Sequence, residues 1–187
     1  MTPFEVQSRE SNPPVFQKKR PGQAERNDAP EAVPMLLLTF RISNDLYAVA
    51  AERVVEVVPR IELRSIPHAP KALAGLFNYR GKAVPVIDLG ILLGSTACLE
   101  RLHTRLILVD EPGGHGERLI GLVAENVSDV MVVKEDQVVL AAMNLEQAPY
   151  LGTVVRTDMG LIQVISVEKV LPKSLREGIF GLTSEAQ

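Results

Sequence analysis

Residues 54–89, with the sequence VVEVVPRIELRSIPHAPKALAGLFNYRGKAVPVIDL, decide the fold because their apolar runs are short, valine-rich and interrupted by turn-forming residues. Since β-branched side chains lose little conformational freedom on a pleated sheet, the two runs LAGLF and AVPVIDL are predicted as strands. The polar break Arg80-Gly81-Lys82 between them predicts a hairpin. Gly81 is expected to supply the positive φ that such a tight turn needs.

The valine-rich run at the start of this stretch allows two interpretations. AERVVEVV, residues 51–58, places three of its valines at helical spacing, with two glutamates on a neighbouring face. A short helix and a strand of a second sheet both fit this pattern, and Pro59 ends either one.

The rest of the chain repeats the pattern of short apolar runs separated by turns. MLLLTFRI and LYAVA flank Asn44-Asp45, TRLILVDE and RLIGLVAENV flank the glycine-rich loop PGGHGE, and YLGTVVRT and GLIQVISV flank Asp158-Met159-Gly160. Each pair is predicted as a hairpin. Short strands with frequent turns and no regular helical interleaving predict a mostly β fold of antiparallel barrels or a sandwich. VEKVLPKSLREGIF predicts a short closing helix that is broken near Pro172.

Proline and charge content divide the chain into three parts. Residues 1–34 hold six of the thirteen prolines and no periodic apolar pattern. They are predicted to be a disordered leader, because such a segment cannot bury enough surface to offset its ordering entropy. Residues 35–172 are predicted to be the folded domain, and residues 173–187 a helical tail.

Composition limits the classes of partner and compartment. Hydrophobic residues make up 46% and aromatic residues 4%, so the predicted core is aliphatic. The formal net charge of −3 gives no electrostatic reason to expect nucleic acid or an anionic membrane surface as a partner. No apolar stretch approaches the roughly 18 residues of a membrane span, and no secretory signal is visible. A single cysteine excludes an internal disulfide, so the chain is predicted to be soluble and cytoplasmic.

The residues that most often carry chemistry do not form a catalytic or metal-binding pattern. His68, His103 and His115 lie in different predicted loops and share no ligand spacing with Cys98. The glycine-rich loop at residues 113–116 lacks the lysine of a phosphate-binding loop and lies between two predicted strands. The sequence therefore predicts no catalytic residue, no metal and no cofactor.

Residues 54–89 and 105–133 together resemble the CheW-like domain, the adaptor that couples bacterial chemoreceptors to a histidine kinase. That family has a valine-rich segment with an internal glutamate, a proline-bracketed loop, a Gly-hydrophobic-x-Asn-x-Arg-Gly stretch and a Val-Pro-x-x-Asp-Leu strand. The matching residues are Glu56, Pro67, Pro70, Gly75, Asn78, Arg80, Gly81, Val84, Pro85, Asp88 and Leu89. The resemblance extends over about residues 35–172.

The resemblance implies both a fold and a set of partners. The fold would be two small five-stranded SH3-like β-barrels around a shared aliphatic core, with short helices and a groove between the barrels. The first barrel would contact the CheW-like regulatory domain of a histidine kinase, and the groove would receive the tip of a chemoreceptor's helical hairpin. The chain would then cluster at membrane-associated receptor arrays. The protein-binding residues expected on this basis are Val54, Glu56, Gly75, Leu76, Phe77, Asn78, Arg80, Gly81, Val86 and Asp88.

Within this set, the resemblance suggests that Glu56 and Arg80 form an ion pair, since a guanidinium makes a planar two-point contact with a carboxylate. Two other positions depart from the family pattern. Glu125 stands where an aspartate is common, and Ser166 stands where an aspartate usually precedes the closing helix. Ser166 is nevertheless expected to cap that helix.

Because of these departures and the proline-rich leader, an alternative chemosensory pathway, such as one that controls surface behaviour or a second messenger, stays open beside the flagellar one. Three functions therefore stay open. The chain is an adaptor, a competitor or localisation factor that occupies the kinase's site, or a protein that binds or converts a small molecule in the cleft between the barrels.

Overall fold

The computed structural model describes residues 34–111, 118–141 and 145–180. The predicted leader up to residue 33, the glycine-rich loop at residues 113–116 and residues 181–187 of the predicted tail lie outside these described residues.

Strands are the commonest regular element of the described residues. They are β1 (Met35–Ile42), β2 (Asp45–Ala50), β3 (Val54–Pro59), β4 (Leu73–Tyr79), β5 (Lys82–Asp88), β6 (Arg105–Asp110), β7 (Leu119–Ala124), β8 (Val130–Val133), β9 (Val138–Leu140), β10 (Leu151–Thr157) and β11 (Gly160–Ile165). The helices are α1 (Leu89–Leu92) and α2 (Lys173–Phe180), with single 3-10 turns at Ala51–Arg53, Glu135–Gln137 and Val167–Lys169. No helix in the described residues is long and apolar enough to cross a membrane.

The strands form two sheets that divide the chain unevenly. The first sheet has the order β8-β1-β2-β11-β10-β9 and combines both ends of the folded domain, whereas the second has the order β3-β6-β7-β5-β4 and uses only its middle. Two neighbouring pairs are parallel, β11 with β2 and β5 with β7, and the other pairs are antiparallel. The mostly β fold with two sheets and short helices is confirmed. The first sheet has one strand more than expected, because the short β9 pairs along β10.

The four predicted hairpins are present as β1–β2, β4–β5, β6–β7 and β10–β11. In the β4–β5 turn, Gly81 has a φ of +85°, as expected for a tight reversal. The ambiguous run at residues 51–58 forms a single 3-10 turn followed by strand β3, so the helix is excluded. Pairing with β6 favours the strand, because it satisfies the backbone groups of a valine-rich segment.

An aliphatic core joins the two sheets. Phe40 and Val49 of the first sheet belong to the same buried cluster as Leu108 and Ile120 of the second. A smaller cluster lies on the other face of the first sheet and contains Leu37, Ala48, Val133, Val155 and Ile162. Burial of each large aliphatic side chain contributes about 1.5–3 kcal/mol relative to exposure, so these clusters are the main stabilising feature of the fold.

The closing segment differs from the expectation for Ser166. Ser166 precedes only the 3-10 turn, and its hydroxyl contacts the Glu168 carboxylate instead of a helix backbone N–H. The expectation that Ser166 caps the closing helix is therefore wrong, because α2 begins beyond Pro172. Helix α2 is held instead by Arg176, whose Nε lies 2.7 Å from Oε1 of the buried Glu111.

Candidate protein-binding site

A cluster of three side chains lies where the β4–β5 hairpin meets β3. The Tyr79 hydroxyl donates a hydrogen bond to Oε2 of Glu56, and Nη2 of Arg80 lies 3.3 Å from the same oxygen. The guanidinium carbon of Arg80 lies 4.8 Å from the centroid of the Tyr79 ring. Glu56 and Arg80 are thus brought together, as the resemblance suggested. We call Glu56 and residues 78–82 the hairpin tip.

The backbone of the hairpin tip holds Arg80 in an unusual conformation. Oδ1 of Asn78 accepts a hydrogen bond of 2.8 Å from the backbone N–H of Gly81, which fixes the turn. Arg80 has a φ of +52°, in the left-handed region, although it carries a side chain. A positive φ at a residue with a Cβ costs roughly 1–2 kcal/mol, and asparagine or glycine tolerates it better. The presence of arginine at a position where it lowers stability indicates that its side chain has a role beyond the turn.

Tyr79 is the member of this cluster that sequence reasoning missed. Its hydrogen bond to Glu56 raises the pKa of the Tyr79 hydroxyl above its ordinary value, and the Arg80 cation acts in the opposite direction. The signal available in the sequence was weak, since an aromatic residue before Arg80 is equally expected as part of a strand. The contact with Glu56 depends on how β3 and β4 approach each other, which the sequence does not show.

Gly75 allows strand β4 to lie close to the backbone of Arg64, which precedes the proline-bracketed loop. Next to it, Leu76 exchanges two backbone hydrogen bonds of 2.8 Å with Arg64. Gly75 has a φ of +152°, and a Cβ built on it would lie 2.6 Å from the carbonyl oxygen of Arg64. The close approach of the two backbones therefore requires glycine here, so Gly75 has a structural role whether or not a partner binds nearby.

Several expected site residues lie inside the protein. Phe77, Val86 and Asp88 are buried, and Val54 and Leu76 are half-buried against the core. The Asp88 carboxylate accepts hydrogen bonds from the backbone N–H groups of Ile91, at 3.2 Å, and Cys98, at 3.1 Å. Val86, Phe77 and Asp88 thus position the loop and the sheet, and in this conformation they offer almost no surface to a partner.

The buried Cys98 gives a first testable prediction. Burial, followed by the neighbouring Asp88 carboxylate, raises the pKa of the Cys98 thiol to about 12. Because the thiolate is the reactive form, we expect native protein at pH 8 to react with a disulfide reagent orders of magnitude more slowly than protein unfolded in urea. The release of the coloured thiol product measures both rates. Equal rates in the native and unfolded protein would contradict the buried position.

A second exposed feature is an apolar strip along the edge of the first sheet. Leu36 of β1 pairs with Val132 of β8, and Val130 lies two residues further along β8. These three side chains, which we call the apolar strip, are half or more exposed, at 50%, 58% and 52% for Leu36, Val132 and Val130. β8 is the last strand in the order of its sheet. Exposed apolar side chains on an edge strand are typical of an interaction surface.

The apolar strip was also missed by sequence reasoning, which treated this segment only as a strand. A signal was present in VMVV, since a strand with one solvated face normally alternates apolar and polar residues. Val133 belongs to the smaller buried cluster and Met131 packs against it, whereas Val130 and Val132 face the other way. An apolar run on both faces of a short strand indicates either a fully buried strand or an exposed binding strand, and only the structure distinguishes them.

One surface depression in the described residues bears on the hypothesis of a ligand-binding cleft. A surface depression of about 560 Å³ lies at the end of β3 and is lined by Pro59, Arg60, Ile61, Glu62, Glu100, Arg101, Leu102, Thr104 and Arg105. Two of its charges, Arg60 and Glu100, pair with each other at 3.3 Å. In residues 34–111, 118–141 and 145–180, no group of three or more His, Cys, Asp or Glu side chains is placed to hold a metal ion.

Comparison with known proteins identifies the family. The family model of the CheW-like domain matches residues 36–174, which is more than half of the chain. The chemotaxis protein CheW of Klebsiella aerogenes is 28% identical over 148 residues, covering 76% of this chain and 85% of that protein. The chemotaxis protein CheW of Helicobacter pylori is 22% identical over 161 residues, covering 85% of this chain and 94% of that protein.

A solved structure shows the same fold. The crystal structure of the scaffolding protein TtCheW from Thermoanaerobacter tengcongensis superimposes with a TM-score of 0.65 at 24% sequence identity, covering 80% of this chain and 94% of that one. This likeness is one of fold, and the family follows from the match of the family model to residues 36–174. The chain therefore belongs to the CheW-like domain family, a family of non-enzymatic scaffold proteins of chemotaxis.

Proposed function

We propose that this protein is a cytoplasmic adaptor that couples chemoreceptors to a histidine kinase by binding both, within membrane-associated receptor arrays. The observation that carries this proposal is the presence of two chemically different exposed surfaces on the two sheets. The hairpin tip on the second sheet is charged, whereas the apolar strip on the first sheet is hydrophobic. A protein that links two partners by binding alone needs a separate surface for each of them.

The hairpin tip is the surface proposed for the regulatory domain of the kinase. Glu56 and Arg80 have exposed side-chain fractions of 41% and 76%, so both are accessible to a partner. An exposed ion pair contributes only about 0–1 kcal/mol to folding, so its value lies in the orientation and choice of a partner. Asn78 and Gly81 contribute by fixing the turn that presents Arg80.

The apolar strip is the surface proposed for the helical hairpin of the receptor. An amphipathic helix binds a partner through apolar side chains spaced at three or four residues, which need an apolar surface opposite them. Leu36, Val130 and Val132 provide such a surface, with one cross-strand pair and one further side chain along β8. The two proposed surfaces lie on different sheets, so the two partners do not compete for the same residues.

The function is tested by reconstitution with a kinase and a receptor fragment from the same cell. An adaptor raises receptor-dependent autophosphorylation of the kinase, which is measured by transfer of labelled phosphate from ATP. A competitor or localisation factor that only occupies the kinase's site lowers it. Failure of the protein to bind either partner would overturn the proposal.

Substitution at the hairpin tip gives a sharper prediction for the kinase contact. We expect Arg80→Asn to weaken binding of the regulatory domain by about tenfold, or about 1.4 kcal/mol, because a charged contact is lost. Stability should be unchanged or slightly higher, since asparagine accepts the positive φ at this position. Isothermal titration measures the affinity, and urea unfolding followed by circular dichroism measures the stability.

The matched control for Arg80→Asn is Arg156→Asn, which removes an exposed arginine from β10 on the other sheet. This control should bind the kinase domain with the affinity of the wild type. Equal affinities for Arg80→Asn and the wild type would exclude the hairpin tip from the kinase contact and leave the family assignment intact.

A further inference from the structure

The charges at the hairpin tip indicate what a partner must present. A guanidinium has five N–H donors. In Arg80, Nη2 lies 3.3 Å from Oε2 of Glu56, and the side chain is 76% exposed, so donors remain accessible to a partner. The exposed Lys82 is paired across the hairpin with Tyr79. The tip thus combines two cations with the one carboxylate of Glu56, in a chain whose formal net charge is −3. Its accessible hydrogen-bonding capacity is mainly that of a donor, which fits an acidic side chain.

Glu56 is less suited to be the group that the partner recognises. Its Oε2 already accepts from the Tyr79 hydroxyl and lies 3.3 Å from Arg80. A partner cation would have to compete with Arg80 for this carboxylate. Glu56 therefore serves as an anchor for its two neighbours, and Arg80 points the available donors outward.

Tyr79 contacts both members of the ion pair. Its ring lies under the guanidinium of Arg80, 4.8 Å from ring centroid to guanidinium carbon, and its hydroxyl donates to the carboxylate of Glu56. The ring itself is fixed by an edge-on contact with the buried Phe77, at 6.1 Å between centroids. An arginine side chain carries about 2 kcal/mol of rotamer entropy, and holding it in place before binding reduces the cost of association.

We infer, on the basis of the proposed function, that Tyr79 is a positioning residue that aims Arg80 at an acidic side chain on the regulatory domain of the kinase. Tyr79 acts through Arg80, by supporting the guanidinium with its ring and by fixing the carboxylate that tethers it. The partner's side of this contact is an aspartate or glutamate.

A double-mutant cycle tests this coupling. Tyr79→Phe keeps the ring and its contact with Phe77 but removes the hydroxyl, and Arg80→Gln keeps the length of the side chain but removes the charge. We expect Tyr79→Phe to weaken binding of the regulatory domain about threefold and Arg80→Gln about tenfold. The double variant should bind with the affinity of Arg80→Gln, because Tyr79 then has no charged side chain left to position. Losses that multiply in the double variant would show that Tyr79 acts independently of Arg80 and would overturn the inference.

The chemistry of the partner is tested by charge reversal. Arg80→Glu should abolish measurable binding, and a kinase domain with one acidic surface residue changed to lysine should restore it. Screening by salt provides a second measurement, since the affinity of the wild type should fall between 50 mM and 500 mM salt more steeply than that of Arg80→Gln. If no lysine variant of the kinase domain restores binding and the salt dependences coincide, an acidic partner group is excluded.

A matched control separates the general effect of removing a tyrosine hydroxyl from the effect of removing the hydroxyl of Tyr79. Tyr150 donates its hydroxyl to the backbone oxygen of Leu92 at 2.6 Å, so Tyr150→Phe removes a comparable hydrogen bond away from the hairpin tip. It should bind the kinase domain with wild-type affinity. If the wild type itself does not bind, the proposed function and the role of Tyr79 both fall. If the wild type binds and Tyr79→Phe binds equally well, only the role of Tyr79 falls.

Discussion

Gly75→Ala is expected to lower the free energy of unfolding by about 2–5 kcal/mol, the sum of a backbone cost and an overpacking cost. The added Cβ would lie 2.6 Å from the carbonyl oxygen of Arg64 and 3.1 Å from Cβ of Leu63, at a φ of +152° that residues with side chains rarely adopt. Relief of this clash requires the strand to move away from Arg64. The two hydrogen bonds of 2.8 Å between Arg64 and Leu76 would then be lost or stretched.

Gly81→Ala is the matched control for this prediction. Gly81 also has a positive φ, +85°, but no atom lies within 4 Å of a Cβ built on it. Its replacement should therefore cost only the conformational term of about 1–2 kcal/mol. Urea unfolding followed by circular dichroism measures both variants. Equal losses for Gly75→Ala and Gly81→Ala would mean that the approach of Arg64 does not restrict position 75.

The local features of this fold could be predicted from the sequence because neighbouring residues determine them. The β4–β5 hairpin follows from two apolar runs around Arg80-Gly81-Lys82, and the positive φ of Gly81 follows from the length of the turn. The aliphatic core follows from the scarcity of aromatic residues. The pairing of Glu56 with Arg80 followed only from the resemblance to the family, because the two residues are 24 positions apart.

The features that could not be predicted depend on contacts between distant strands. Val86 and Asp88 lie in a family motif, and only the packing of β5 beside β7 shows that they are buried. Val132 lies in a run that suits a buried strand equally well, and its exposure results from the face of β8 on which it lies, opposite to that of the buried Val133. Tyr79 reaches Glu56 because β3 and β4, which do not pair, approach each other through their side chains.

The apolar strip leads to a prediction of a large loss of receptor binding. We expect Val132→Glu to weaken binding of the receptor's helical hairpin by about 100-fold or more, which corresponds to about 2.7 kcal/mol. The reason is that a carboxylate placed in an apolar contact must lose its hydration without a partner, and this costs several kcal/mol. Val132 is 58% exposed in the free protein, so its replacement should change the free energy of unfolding by no more than about 0.5 kcal/mol.

Leu161→Glu is the matched control for Val132→Glu, since Leu161 is also apolar and 57% exposed on a strand of the same sheet. The neighbouring residue 162 pairs with the start of β2, and β2 pairs there with the far end of β1. That end is about 17 Å along β1 from Leu36, so the control lies away from the apolar strip. It should keep the receptor affinity of the wild type.

The kinase affinity of Val132→Glu separates a local effect from a general one. The hairpin tip lies on the other sheet, so Val132→Glu should bind the regulatory domain of the kinase as the wild type does. Loss of receptor binding alone, in both titrations and pull-down measurements, would place the receptor on the apolar strip. Loss of both activities would indicate that the two surfaces are coupled through the shared core. Receptor binding that survives Val132→Glu would exclude the strip, because no helix packs an apolar face against an unpaired carboxylate without a measurable loss of affinity.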